Sequence, residues 1–310
     1  MDAGPPLGWV NLVFDRYGKE IPQAMPKDHD LYKDDSSMDI HLISKDGVLF
    51  KCHGCILAAR SQYFRTLLTT NVGRPYSAYS KDRPLELHCP FSSIVLQAVK
   101  DHIYVGLPQF LGLDGTHDLS VSAAADVTFA LPAIYKASQY YALPKLSELL
   151  WHAMKQYGEA EPWNNFVMLQ SCMHHDVREG KIEGFLLCNI EVSFWNWNGY
   201  LRDSRIKPPH EILSYIGADC IEHIVTHDSL NRVSDLYKFI MLEIWASSRT
   251  VSSAEDFGKA MAMVEVHIAL ENIPKKFFIS QKLNYSGIAS AEQMEMAFQM
   301  MDDSSDKEEE

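Results

Sequence analysis

Two runs of this chain place metal-ligating or redox-capable side chains at close spacing. Cys52-His53-Gly54-Cys55 sets two thiols at the C-x-x-C interval with an imidazole between them, a spacing that suits zinc or disulfide exchange. One such pair supplies half of a tetrahedral site, and no second pair follows at a zinc-finger interval. Both thiols are therefore expected as buried structural groups, and His53 as a hydrogen-bonded residue of the fold. Cys172-Met173-His174-His175-Asp176 gathers four candidate ligands in five residues. Adjacent histidines on a helix point about 100° apart and share one ion poorly, unlike an i, i+4 pair. A helix end leaning into a polar loop is the expected reading, with a distant Cys or His joining Cys172 and His175 left open. A metal-dependent enzyme centred on Cys172 to Asp176 is the remote alternative. No nucleophile elbow, Walker loop, dinucleotide fingerprint or H-E-x-x-H helix occurs in the sequence, so no catalytic residue, cofactor or metal is expected and the protein is not read as an enzyme.

The chain has 310 residues, 46% of them hydrophobic and 22% charged, enough for real cores and about two domains. No run approaches the roughly 18 to 20 apolar residues of a membrane helix. The start, Met1-Asp2-Ala3-Gly4-Pro5-Pro6, lacks the basic and apolar parts of a secretory signal. Net charge is −13, and the tail from Asp302 to Glu310 carries six acids and one lysine. That tail reads as a solubilising, disordered end. Phosphate tracking needs a basic stripe, so neither nucleic acid nor membrane is an expected partner. The six cysteines show no disulfide rhythm. A reducing, intracellular setting, cytoplasmic or nuclear, fits that usage.

The elements that must hold these residues begin with a hairpin. Asp39-Ile40-His41-Leu42-Ile43-Ser44 reads as a strand, Lys45-Asp46-Gly47 as a turn tolerant of positive φ, and Val48-Leu49-Phe50-Lys51-Cys52 as the return. A helical pair follows, with Ile56 to Ala59 as one apolar turn, Ser61 as the cap of the next helix, and Tyr63, Phe64, Leu67 and Leu68 at helical spacing. Thr69 to Arg83 is a polar loop, Leu85-Glu86-Leu87 a short strand, and Ser92 or Ser93 the cap of a helix whose face is Ile94, Val95, Ala98, Val99, His102 and Ile103. Gln109 to Asp126 reads as an inserted loop, and Leu131 to Leu150 as a helical face. Beyond Trp163 only helices are expected, at 163–172, 182–201, 209–225, 233–247, 253–270 and 290–301, the last opened by the capping box Ser290-Ala291-Glu292-Gln293.

Asp39, His53, Leu57-Ala58-Ala59-Arg60-Ser61 and Tyr63-Phe64, followed by Ile103-Tyr104-Val105-Gly106, resemble the BTB/POZ domain in order, spacing and chemistry. Asp228-x-Leu230, Val233-Ser234-Asp235, Phe239 and Trp245 resemble the BACK domain that commonly follows it, with Asp235 where Glu is usual. The resemblances imply an α+β BTB/POZ domain over 38–155, an all-α BACK-like domain over 156–301, an N-terminal arm over 1–37 and an acidic tail over 302–310.

They also imply a function. BTB domains assemble proteins: they commonly form two-fold dimers, and many bind cullin-3 as substrate adaptors of a ubiquitin ligase. Tyr63, Phe64, Val72, Gly73 and Arg74 fall at the cullin-type surface, where the family usually has a hydrophobic residue, any residue, then Glu. Val72 meets that pattern and Arg74 reverses its charge. Leu7, Trp9, Val10, Asp39 and His53 fall at the subunit interface or the fold-defining polar centre beneath it, although the apolar arm around Trp9 could equally pack on its own domain. The expected partners are a second copy, cullin-3 and a protein cargo met by the helical domain, the arm or the loop from Tyr76 to Arg83. The alternative is an oligomerisation scaffold, or a transcriptional or structural regulator, that binds no cullin.

Overall fold

The computed structural model describes residues 37–70, 80–106, 121–160, 163–177, 180–202, 213, 216–248 and 254–273. Leu7, Trp9, Val10, Val72, Gly73, Arg74, the capping box at Ser290 and the acidic tail lie outside them. The chain divides into two compact units, Met1–Gln156 and Tyr157–Glu310.

The first unit is built on a three-stranded sheet in the order β2-β1-β3. β1 (Ile40–Ile43) buries Ile40 and Leu42, whereas β2 (Leu49–Cys52) buries Phe50 and Cys52, the alternation of a sheet with one apolar face. The two strands pair antiparallel with Ile40 opposite Cys52 and Ile43 opposite Leu49. Gly47 has a φ of 81° at the turn between them, a conformation that costs a side chain strain and glycine nothing. β3 (Leu85–His88) adds in parallel on the other side of β1.

Helix α1 (Gly54–Arg60) leaves directly from β2 and packs on α2 (Gln62–Thr69). Ser61 ends one and caps the other: its Oγ accepts the Phe64 amide at 3.2 Å and donates to the Tyr141 carbonyl at 2.6 Å. This is the cap the sequence indicated. α3 (Ser93–Val105) buries Val95, Leu96, Ala98, Val99, Ile103 and Tyr104 and ends on Gly106 at a φ of 89°. Ile94, expected on that buried face, is 57% exposed, because the face is shifted toward Leu96.

α4 (Val121–Tyr140) packs on α3. It begins inside the stretch expected as a loop up to Asp126, which corrects that boundary: the run Val121-Ser122-Ala123-Ala124-Ala125 is small, and alanine is the strongest helix former. Ala142, at a φ of 50°, breaks the chain before α5 (Pro144–Ala160).

In the second unit α6 (Asn164–His174) packs on α7 (Gly180–Arg202), and α8 (Ala218–Thr226) and α9 (Asp235–Ser248) both pack on α10 (Ala254–His267). A short 3₁₀ turn at Asp228–Leu230 lies between α8 and α9, and another at Leu270–Asn272 follows α10. The helix expected over 209–225 is interrupted before Ala218, because Gly217 is extended (φ −72°, ψ 156°) and its amide is drawn to Gln170 Oε1 at 2.7 Å; Leu213 is helical, and 209–212 and 214–215 lie outside the described residues. Phe166, Phe194, Phe239, Trp245 and Ile221 fill the core, with Trp245 donating its ring N–H to the Ile216 carbonyl at 2.8 Å. Among the described residues, no helix is long and apolar enough to cross a membrane.

Candidate functional site

The polar centre of the first unit is assembled around the start of α1. Asp39 joins all three strands and the helix. Its N–H donates to the Cys52 carbonyl at 3.1 Å, its carbonyl accepts the Leu85 amide at 2.9 Å, and its Oδ1 accepts the Gly54 amide at 2.7 Å. The last contact is a helix N-cap delivered from 15 residues away. It satisfies one of the amides that a helix start leaves unpaired. His53, the residue before the helix, is buried and makes no such cap itself. Instead it donates its backbone N–H to the Tyr104 hydroxyl at 2.7 Å, with that hydroxyl 3.0 Å from Nδ1 and Ser37 Oγ 3.0 Å from Nε2. One assignment satisfies every group: the Tyr104 proton goes to Nδ1 and the Nε2 proton to Ser37. Burial raises the Tyr104 hydroxyl well above its ordinary pKa, so it stays a neutral donor.

Asp46, beyond the other end of β1, does for α3 what Asp39 does for α1. Its Oδ1 accepts the Ser93 amide at 2.8 Å and its Oδ2 the Ser93 hydroxyl at 2.6 Å. Ser92, one of the two expected caps, occupies the cap position without a side-chain bond. Ser44 and Ser93 hold the Asp46 carboxyl below the usual carboxylate range.

Beside this centre lies an aromatic stack with one buried and one open layer. Phe64, 1% exposed, lies parallel to Tyr141 with centroids 5.2 Å apart. Over them Tyr63 and Tyr140 pair at 5.1 Å, their hydroxyls 3.3 Å apart, and Phe91 meets Tyr140 edge-on at 5.5 Å. Tyr140 is 46% exposed and Tyr63 half-buried. Partial burial, and then the bond to Tyr140, push the Tyr63 hydroxyl up to about 12. The rim is thus an amphipathic surface: flat rings for contact area, hydroxyls for hydrogen bonds, and a fixed layer beneath.

Of the residues singled out by sequence, Asp39 and His53 therefore meet in one network and Tyr63 and Phe64 in another. Phe64 supports the surface from inside and Tyr63 forms part of it. Tyr104, Tyr140 and Phe91 were not singled out for the site, and their partners lie so far off in sequence that no local spacing announces them.

Among the described residues, neither thiol run belongs to a group of three metal-ligating side chains. Cys52 is buried at the strand end, where burial pushes its thiol up to about 12, and Cys55 is exposed on α1. Cys172 is buried and likewise pushed up to about 12. The His174 and His175 rings meet edge to face at the C-terminal end of α6, their centroids 4.7 Å apart.

Residues 29–106 match the family model of the BTB/POZ domain. The chain is also 30% identical over 95 residues to the Inhibitor of Bruton tyrosine kinase of Mus musculus, covering 31% of this chain and 6% of that protein. It is 31% identical over 104 residues to the protein of the same name from Xenopus laevis, covering 34% of this chain and 7% of the relative. The likeness is therefore one of a domain, and it spans a small fraction of those relatives' length.

Proposed function

We propose, for a chain whose residues 29–106 are a BTB/POZ domain, that it is a homodimeric adaptor recruiting a protein cargo to a cullin-3 type ubiquitin ligase. The observation that carries this reading is the rim of Tyr63, Tyr140 and Phe91 on its buried Phe64–Tyr141 support. Rigid aromatic surfaces of this kind anchor protein interfaces, because they give large contact area with few side-chain rotations to freeze. Tyr63 leads, along α2, toward the segment that holds Val72, Gly73 and Arg74, which we assign to the same surface. Dimerisation would present two copies of it and raise avidity through effective concentration. We assign Leu7, Trp9 and Val10 to the subunit interface, with Asp39 and His53 in the polar centre that defines the fold.

The second unit is proposed as a BACK-like domain. Asp228 and Leu230 lie in its first 3₁₀ turn, Asp235 opens α9, and Leu230, Phe239 and Trp245 are fully buried. That is the division of labour the resemblance implies, with polar residues at helix starts and aromatic ones in the core.

A second reading, a scaffold or regulator that dimerises without cullin, is favoured by Arg74. A reversed charge at a docking rim changes specificity by kilocalories. Capture of cullin-3 by the full chain and by Arg74→Glu separates the two. The adaptor reading expects capture by the wild type, strengthened by the substitution; failure of both proteins to retain cullin-3 leaves the scaffold reading.

A further inference from the structure

Three side chains of the second unit converge, two of them an i, i+4 histidine pair and the third a carboxylate from 40 residues earlier. Glu183 comes from the first turn of α7, His223 from the last turn of α8, and His227 is the residue that caps α8. One ligand atom from each lies within 4.8 Å of the other two, and Nε2 of His223 is 2.9 Å from Oε1 of Glu183. All three residues are half-buried.

We propose that Glu183, His223 and His227 bind a divalent transition-metal ion of the zinc class. Two imidazoles and a carboxylate are the donors such an ion takes at roughly 2.0–2.2 Å, with a fourth position left for water. Ligand atoms around a tetrahedral ion stand ~3.3 Å apart, and those of the three side chains lie within 4.8 Å of one another without an ion. In the metal-free state the His223–Glu183 contact is a hydrogen bond, with Nε2–H donating to Oε1; an ion takes the place of that proton.

Two further features shape the site. The Nδ1 of His227 accepts the backbone N–H of Ser229 at 3.2 Å and lies 2.8 Å from its Oγ, which fixes the orientation of the ring. The two rings stand four residues apart at the C-terminal end of α8, their centroids 5.1 Å from each other, where the helix dipole places partial negative charge. The ion would tie the start of α7 to the end of α8, so its expected role is to stabilise the second unit.

The test uses the full chain, stripped with chelator and titrated with zinc chloride, with metal content measured after gel filtration. The wild type should retain one equivalent of zinc. Glu183→Gln, which keeps an acceptor for His223 and so preserves the fold, and His227→Ala should each weaken binding at least about tenfold. His174→Ala/His175→Ala should bind as the wild type does. Cobalt in place of zinc should give visible bands without the charge-transfer absorption of a thiolate ligand. A wild type that holds no zinc overturns the proposal. So does a Glu183→Gln/His223→Ala/His227→Ala variant that binds like the wild type, or a cobalt spectrum dominated by thiolate.

Discussion

The hydroxyl of Tyr104 takes the backbone N–H of His53 at 2.7 Å and stands 3.0 Å from Nδ1 of the same residue, across 51 positions of sequence. Helix α3 is thereby fastened to the junction of β2 and α1 by one oxygen with two partners. Tyr104→Phe keeps the ring and removes both bonds, leaving a buried donor and a buried ring nitrogen unmatched. An unsatisfied buried group costs about 1–3 kcal/mol, so the loss should be about 2 kcal/mol. Amide exchange across residues 37–106, followed through a urea series, measures it, and unchanged protection of the Leu57 amide would contradict the network.

Asp39 is a helix cap that the helix does not carry in its own sequence. Asp39→Ala removes the acceptor of the Gly54 amide and should destabilise the first unit by about 1 kcal/mol. Asp39→Asn keeps a side-chain oxygen in place and should recover most of that loss in the same denaturation experiment.

His102 makes the first unit sensitive to acid. Burial, with smaller contributions from Arg60 and Lys145, lowers its pKa to about 4 from 6.5, against the bond between Nδ1 and the Gly106 carbonyl at 3.0 Å. The unfolded chain takes up this proton near pH 6.5 and the folded chain only near 4. Within that window the unfolded state holds more protons, so stability falls as pH is lowered and is fully present above the unfolded pKa. The loss should be no more than about 3 kcal/mol. Urea midpoints at pH 7 and pH 4.5 measure it, and His102→Gln should shrink the difference between the two.

The aromatic stack separates contact from support. Phe64→Ala empties a buried site and should cost about 3–5 kcal/mol. Tyr63→Ala and Tyr140→Ala, on the open layer, should leave the denaturation midpoint within about 1.5 kcal/mol of the wild type while weakening whatever partner the rim holds. Equal loss of partner binding and of fold in all three variants would show that the rim has no role beyond packing.

The legible parts of the fold were the local ones. Alternation in Ile40–Ile43, the Gly47 turn, the Ser61 cap and the Tyr104-Val105-Gly106 helix end all act within a few residues, and the hairpin, α2 and the end of α3 follow them. The caps from Asp39 and Asp46 span 15 and 47 residues, so only the folded sheet brings them to their helices. Ser92 takes the cap position that the sequence offered to it or to Ser93, but the side-chain acceptor comes from Asp46. The start of α4 read as loop because Gly112, Gly115, Ser120 and Ser122 punctuate the stretch, and glycine and serine favour turns. His223 and His227 did carry a signal, an i, i+4 histidine pair, but the carboxylate that completes the group comes 40 residues earlier. The run that spacing brings forward, Cys172 to Asp176, is a helix end, with the His174 and His175 rings edge to face at 4.7 Å.

The claim on which the functional account rests is that the first unit pairs with its own kind. Sedimentation equilibrium of the full chain over a range of concentrations tests it most directly. The expected result is a mass rising to twice the 35.2 kDa of one chain. A mass that stays at 35.2 kDa at every concentration would contradict the account.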